Sequence, residues 1–270
     1  MKIKLNGIQY HVEFCGTGFP LLLLHGFTGS GSTWQPLSPI LSRNAEMIMV
    51  DLIGHGKTES PIEWERYDIL KVAADINLLL EELAIEKVDL LGYSMGGRLA
   101  ITFAANYPEK VRKLVLESTT PGLKTAEDRE TRRQQDAKLA SKIRTEGVKA
   151  FVNYWENIPL FQTQRDLPAE KKEEIRGQRL DNTAMGLANS LRGMGTGSQP
   201  SWWESIAGFQ FETLIITGKE DVKFCRIGEE MLSILPNARF LSIQNAGHAI
   251  HVEEPEKFGT IVSGFLLNEF

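Results

Sequence analysis

Short, wholly apolar runs alternate with longer segments of helical period along most of this chain. Leu21-Leu22-Leu23-Leu24, Met47-Ile48-Met49-Val50, Val111 to Leu116 and Leu214-Ile215-Ile216 are each bounded by Gly-rich or polar residues. Runs of this length and character predict strands buried on both faces. Val88 to Leu91 reads the same way and leads into Gly92. Residues 3–14 predict two short strands around Asn6-Gly7, a dipeptide suited to a two-residue hairpin turn. Between the runs lie helical patterns. Trp34 to Leu41 predicts a helix. So does about 68–84, where Ile69, Val72, Ala73, Ile76, Leu79, Leu80 and Leu83 share one face. Another helix follows Ser94 to Tyr107 and stops at Pro108. Later come a helix near 225–234, a strand near Arg239 to Ile243, and a last helix opened by Pro255. The alternation predicts an α/β fold with a mostly parallel central sheet flanked by helices. Ligands in such sheets sit beyond the carboxyl ends of the strands.

The pattern changes after Glu117. Residues 126–146 are dense in charge, helical patterns continue to about 205, and no strand signal interrupts them. Residues 121–206 therefore read as a helical cap inserted into the core and covering the sheet's carboxyl edge. The core is then made of two parts, 1–120 and 207–270.

Composition narrows the function classes. The 270 residues are 42% hydrophobic and 24% charged, as in an ordinary soluble domain. A net charge of −5 argues against a general nucleic-acid binder. The longest apolar run near the start, Pro20 to Leu24, is far too short for a bilayer, and no signal peptide is visible. Cys15 and Cys225 stand far apart and fit a reducing cytoplasm better than a disulfide. The five histidines show no ligand spacing, so no metal is expected. Oligomeric state is not readable.

Three loops fall at the carboxyl ends of the predicted strands: His25-Gly26-Phe27, Asp51 to Gly56, and Gly92 to Gly97. The last holds Gly92-Tyr93-Ser94-Met95-Gly96, a Gly-x-Ser-x-Gly turn from strand to helix. Small residues flanking the Ser relieve the crowding of so sharp a turn and present its hydroxyl at a helix N-terminus. A serine hydroxyl needs a base to react near neutral pH. His248, in the loop Gln244 to His248 after the predicted edge strand, is the candidate. Asp221, after Leu214 to Gly218, would hold the other ring nitrogen, with adjacent Glu220 as its rival. The order Ser94, Asp221, His248 is the one this fold uses. The backbone N–H groups of Phe27 and Met95 would form the oxyanion hole. His25 and His55 fit structural roles, and His251 fits packing. Arg98 follows Ser94 by four positions and so shares its helix face. It is either satisfied within the core or aimed at a substrate carboxylate. Arginines farther along, among them Arg132 and Arg179, read by themselves as solvated helix faces.

His25-Gly26-Phe27, Gly54-His55-Gly56, Gly92 to Gly97, Gly218 to Asp221 and Gly247-His248 together resemble the α/β-hydrolase fold family. A narrower resemblance covers core and cap. Tyr93 to Arg98, Pro121-Gly122-Leu123, Ala126 to Arg129 with Arg132, Trp155 with Pro159-Leu160-Phe161, and Arg179 are similar to the 2-succinyl-6-hydroxy-2,4-cyclohexadiene-1-carboxylate synthase family of menaquinone biosynthesis. That resemblance implies a triad serine that removes a substrate proton, elimination of pyruvate without a cofactor, and an anionic small-molecule substrate. By the same resemblance Tyr93, Arg98, Arg132, Trp155 and Arg179 bind substrate, Arg179 with Arg176 as a rival. Two other readings stand beside it: a serine hydrolase acting on an ester or carbon–carbon bond, and a ligand receptor that keeps the pocket only for binding.

Overall fold

A computed structural model of the chain describes residues 1–269. Its strands are β1 (Lys2–Leu5), β2 (Ile8–Cys15), β3 (Phe19–Leu24), β4 (Ala45–Val50), β5 (Val88–Tyr93), β6 (Val111–Glu117), β7 (Glu212–Gly218) and β8 (Ala238–Ile243). They form one sheet in the order β1-β2-β4-β3-β5-β6-β7-β8. The β1–β2 and β2–β4 pairings are antiparallel, and every pairing from β4 across to β8 is parallel. β8 is the edge strand, as its position in the chain predicts.

The helices are α1 (Ser38–Leu41), α2 (Ile69–Glu82), α3 (Met95–Asn106), α4 (Ala126–Trp155), α5 (Ala169–Leu180), α6 (Ala184–Met194), α7 (Val222–Leu232), α8 (Ile250–Glu253) and α9 (Pro255–Leu267). The run of four leucines in β3 shows why both sheet faces need cover. Successive side chains of a strand point to opposite faces. Leu22 and Leu24 join a core with Ile69, Val72 and Ile76 of α2 and Leu99 and Phe103 of α3. Leu21 and Leu23 join the opposite core with Trp34, Phe258, Val262 and Phe265.

The Trp34 to Leu41 segment departs from the predicted helix. It is a 3₁₀ helix over Gly31–Leu37 followed by the single turn of α1. Pro36 and Pro39 supply no N–H, which an α-helix interior needs, while a short 3₁₀ piece tolerates them.

Between β6 and β7, residues 118–211 contain no strand among the described residues. α4, α5 and α6 fill this insertion, with a 3₁₀ segment at Pro159–Asp166. The insertion has its own apolar cluster of Ile143, Phe151, Val152, Leu187 and Leu191, against which Phe27 and Trp155 pack. α4 breaks at Gly147, with φ 83° and ψ 168°. A Cβ there would meet nothing within 4 Å, so glycine is needed for its backbone angle and not for space. No helix among the described residues is long and apolar enough to cross a membrane.

Candidate active site

Ser94 stands between the last residue of β5 and the first of α3, with φ 50° and ψ −104°. A positive φ is costly for a side chain with a Cβ and persists only where the surroundings enforce it. Here they do. The Ser94 N–H donates to the Glu117 carbonyl (2.9 Å), and Thr119 Oγ1 donates to the Ser94 carbonyl (2.8 Å). A Cβ on Gly92 would lie 2.5 Å from the Gly96 carbonyl oxygen, and one on Gly96 would lie 2.0 Å from that of Leu24. The Gly-x-Ser-x-Gly spacing is thus a packing requirement of the turn.

Three side chains from three strand ends meet at this turn. His248 Nε2 lies 2.9 Å from Ser94 Oγ, and His248 Nδ1 lies 2.6 Å from Asp221 Oδ2. Asp221 is the N-cap of α7, and its Oδ1 accepts from the Phe224 N–H (3.4 Å). Glu220 is exposed, while Asp221 is buried against the histidine. The imidazole is itself buried and is walled by the rings of Phe224 (4.7 Å between centroids) and Tyr93 (5.4 Å). Its loop is held by Glu253, whose carboxylate accepts from the Gly247 N–H (2.6 Å) and the Ala249 N–H (3.3 Å). Burial raises the Glu253 carboxyl pKa above its ordinary value.

Ser94 and His248 open onto a cavity of about 190 Å³, which Phe27 and Met95 also line. Met95 opens α3, so its N–H has no intrahelical partner. His25 and His55 lie outside that cavity. His25 Nε2 accepts from the Leu52 N–H (2.9 Å) and its Nδ1 meets the Gly26 carbonyl (2.8 Å), which ties two of the carboxyl-end loops together. Burial pushes the His25 pKa down to about 4 and the His55 pKa down to about 3. Among the described residues no cluster of three His, Cys, Asp or Glu side chains could hold a metal ion.

Two arginines line the Ser94 cavity. Arg98 is buried and carries no carboxylate in contact. Its NH1 donates to the Met194 carbonyl (2.5 Å) and to Gln199 Oε1 (2.7 Å). Burial, with the charge of Arg132 second, lowers its pKa to about 10. Arg132 uses its Nε on Asp136 Oδ1 (2.8 Å). Trp155 closes the apolar side against Phe27 and Phe161, and its Nε1 is buried with no acceptor. The cavity therefore joins an activated hydroxyl and two guanidinium groups, with the Trp155 ring on its apolar side.

Residues 20–255 match the family model of the alpha/beta hydrolase fold. A Bacillus subtilis protein provisionally named 2-succinyl-6-hydroxy-2,4-cyclohexadiene-1-carboxylate synthase is 47% identical over 263 residues, covering 97% of this chain and 96% of that protein. This chain belongs to that synthase family of α/β-hydrolases. The Pectobacterium atrosepticum protein of the same name is 30% identical over 91% of this chain and 93% of its own length. The solved structure of MenH from S. aureus superposes with a TM-score of 0.92 at 35% identity, covering 96% of this chain and 98% of that one.

Of the residues that the synthase resemblance singles out, Tyr93, Arg98, Arg132 and Trp155 line the Ser94 cavity. Arg179 does not. It lies behind Phe161, with its guanidinium carbon 4.8 Å from that ring's centroid and its NH2 donating to Gln164 Oε1 (3.1 Å). There it lines a neighbouring space of about 50 Å³. Its rival Arg176 pairs with Glu156 (2.6 Å) and is also absent from the Ser94 cavity. Two features escaped the synthase motif reading. Lys223 and Phe224, just past Asp221, line the cavity. His251 does more than pack: its Nδ1 meets both carboxylate oxygens of Glu117, and its Nε2 meets Thr33 Oγ1 (2.9 Å). The signal for Lys223 was its spacing of two from Asp221; nothing local marks the Glu117 pairing.

Proposed function

We propose that this protein is a 2-succinyl-6-hydroxy-2,4-cyclohexadiene-1-carboxylate synthase, a lyase that eliminates pyruvate from 2-succinyl-5-enolpyruvyl-6-hydroxy-3-cyclohexene-1-carboxylate in menaquinone biosynthesis. The observation that carries this reading is the presence of Arg98 and Arg132 in the cavity onto which Ser94 and His248 open. A polycarboxylate needs several cations, and guanidinium groups match carboxylates in geometry as well as charge. The indole N–H of Trp155 offers a further donor to substrate oxygen, and Tyr93 walls the same space.

In this reading His248 Nε2 takes the Ser94 hydroxyl proton, and Ser94 Oγ takes a carbon-bound proton from the substrate. The C–H electrons move into the ring, and the bond from ring carbon to the enolpyruvyl oxygen breaks. The proton held on His248 passes to the departing enolate, which becomes pyruvate, so the proton count closes. Asp221 fixes the imidazole tautomer and stabilises its charged form. The N–H groups of Phe27 and Met95 receive the charge that develops on the substrate carbonyl oxygen. Each step uses only side chains and backbone of this chain.

The insertion 121–206 serves as a cap that excludes water and holds the C–H bond, rather than a carbonyl carbon, against Ser94. We place the enzyme in the cytoplasm, where its two free thiols, Cys15 and Cys225, stay reduced.

The deciding experiment supplies this substrate and reads pyruvate release through a coupled NADH-dependent reductase. One pyruvate per substrate consumed, abolished in Ser94→Ala, is the expected result; no pyruvate above background rejects the reading. An acyl group trapped on Ser94 by mass spectrometry would favour a serine hydrolase instead.

A further inference from the structure

Arg98 is buried and lines the Ser94 cavity, yet the acceptors it meets are neutral. Its NH1 donates to the Met194 carbonyl (2.5 Å) and to Gln199 Oε1 (2.7 Å). Among the described residues no carboxylate lies within ion-pair distance of it. Asp136, the acid whose charge reaches it, is engaged with Arg132. Arginines remote from the site are held differently. Arg66 NH2 donates to both carboxylate oxygens of buried Asp75 (2.8 and 2.7 Å), and Arg112 Nε donates to buried Asp89 (2.8 Å). An uncompensated buried charge is costly. A fold that supplies carboxylates elsewhere and withholds one here leaves the charge of Arg98 for a ligand.

Gln199 lies behind Arg98. It is buried, does not line the cavity, and sits in the turn after α6, where its backbone N–H donates to the Gly195 carbonyl (3.3 Å). A guanidinium only donates, so the amide must turn its oxygen to Arg98 and its NH2 away. That NH2 is buried with no acceptor. It faces Gly122, where a Cβ would lie 2.8 Å from Nε2. A buried donor left unpaired is costly. Glutamate has the same shape and no such donor, and would set a negative charge opposite Arg98. Glutamine holds the guanidinium in place and leaves its charge unanswered.

We propose that Gln199 is a positioning residue of the anion site: it fixes Arg98 through a neutral acceptor, so that the full charge of Arg98 meets a substrate carboxylate. This rests on the synthase reading above, whose substrate is a tricarboxylate. Gln199 acts through Arg98 and touches no substrate itself.

The test compares Gln199→Glu, Gln199→Met and Arg98→Ala in the pyruvate-release assay. Q199E keeps the bond to Arg98 but answers its charge from inside. Its KM is expected to rise about 10- to 100-fold, the size of one charge-assisted contact to a carboxylate, while labelling of Ser94 by a neutral fluorophosphonate slows far less. Q199M removes the acceptor and adds no charge, so its rise should be smaller. A side chain that only braces the turn gives the opposite order, with isosteric Q199E close to wild type and Q199M worse, and that order overturns the assignment. If Q199E does not fold, Q199M decides. It should retain most of the kcat/KM that R98A loses, and a loss as large as that of R98A overturns the assignment.

Tricarballylate, itself a tricarboxylate, separates this inference from the synthase reading. It should protect wild-type Ser94 from the fluorophosphonate, and Q199E should weaken that protection about 10- to 100-fold. If the wild type releases no pyruvate while protection still falls in Q199E, the synthase reading fails and the role of Gln199 stands. If pyruvate is released but Q199E changes neither KM nor protection, the role of Gln199 fails alone.

Discussion

His251 Nδ1 lies 2.9 Å from each carboxylate oxygen of Glu117. The same carboxylate accepts the His251 backbone N–H (3.0 Å), while the Glu117 carbonyl accepts the Ser94 N–H (2.9 Å). Both residues are buried, and the His251 ring packs edge-on against Tyr93 at 4.7 Å. Glu117 thus joins the Ser94 turn to the segment that carries His248. Its backbone holds Ser94, and its side chain holds His251, three residues past His248.

Glu117→Ala should strand both the backbone and ring donors of His251. Each stranded buried donor costs about 1–3 kcal/mol, which for a chain of this size lowers Tm by roughly 5–15 °C in total. Far below that Tm, fluorophosphonate labelling of Ser94 should also slow. Labelling at the wild-type rate in a destabilised variant would show that Glu117 supports the fold but not the alignment.

Asp221→Asn keeps the shape of the side chain but can present an amide N–H donor to Nδ1, which favours the wrong imidazole tautomer. In a serine triad that substitution lowers kcat by about 10⁴. Steady-state pyruvate release should fall on that order while thermal melting changes little. A loss under tenfold would mean that Asp221 does not orient His248.

Arg98→Ala should lower kcat/KM for the tricarboxylate substrate by about 10²-fold or more, since a charge-assisted contact to a carboxylate is lost in a buried site. Turnover of a neutral ester, measured in parallel, should fall less. Equal losses on both substrates would assign Arg98 to structure alone.

His25 and His55 make stability depend on pH. Both are neutral and buried, with pKa values depressed to about 4 and about 3. In the unfolded chain they would titrate near 6.5. Below that pH the unfolded state binds more protons, so stability is full above about 6.5 and declines as pH falls toward the folded values. Thermal melting followed from pH 7.5 to 4.5 should show a falling Tm. His55→Gln should flatten that slope, and an unchanged slope would place the dependence on other groups.

The sheet and the Ser94 turn were legible in the sequence because their signals are local. Four leucines in a row need two apolar faces, and Gly92 and Gly96 are demanded by contacts within the turn itself. The Trp34 segment misled because its apolar spacing fits a helix while Pro36 and Pro39 remove the donors of one. The sequence favours Asp221 over adjacent Glu220, and the direction of one side chain at a helix start is what separates them in the fold. Arg179 and Lys223 were harder still. Both sit on helices rich in charge, and only the folded chain shows Lys223 lining the Ser94 cavity and Arg179 the space beside it. The Glu117–His251 pair spans 134 positions, a separation at which no pattern of neighbours carries a signal.

The bond from Arg98 to the Met194 carbonyl ties the helix that begins at Ser94 to the end of α6. Detaching that end would leave a buried carbonyl without its partner and the buried guanidinium with Gln199 alone, a costly step. It therefore works as the hinge side of a door. The looser side is the stretch from the Gly147 break through Trp155 to Phe161, held by aromatic contacts and by the half-buried Glu156–Arg176 ion pair. Opening of the cap during turnover is expected to fall to that side.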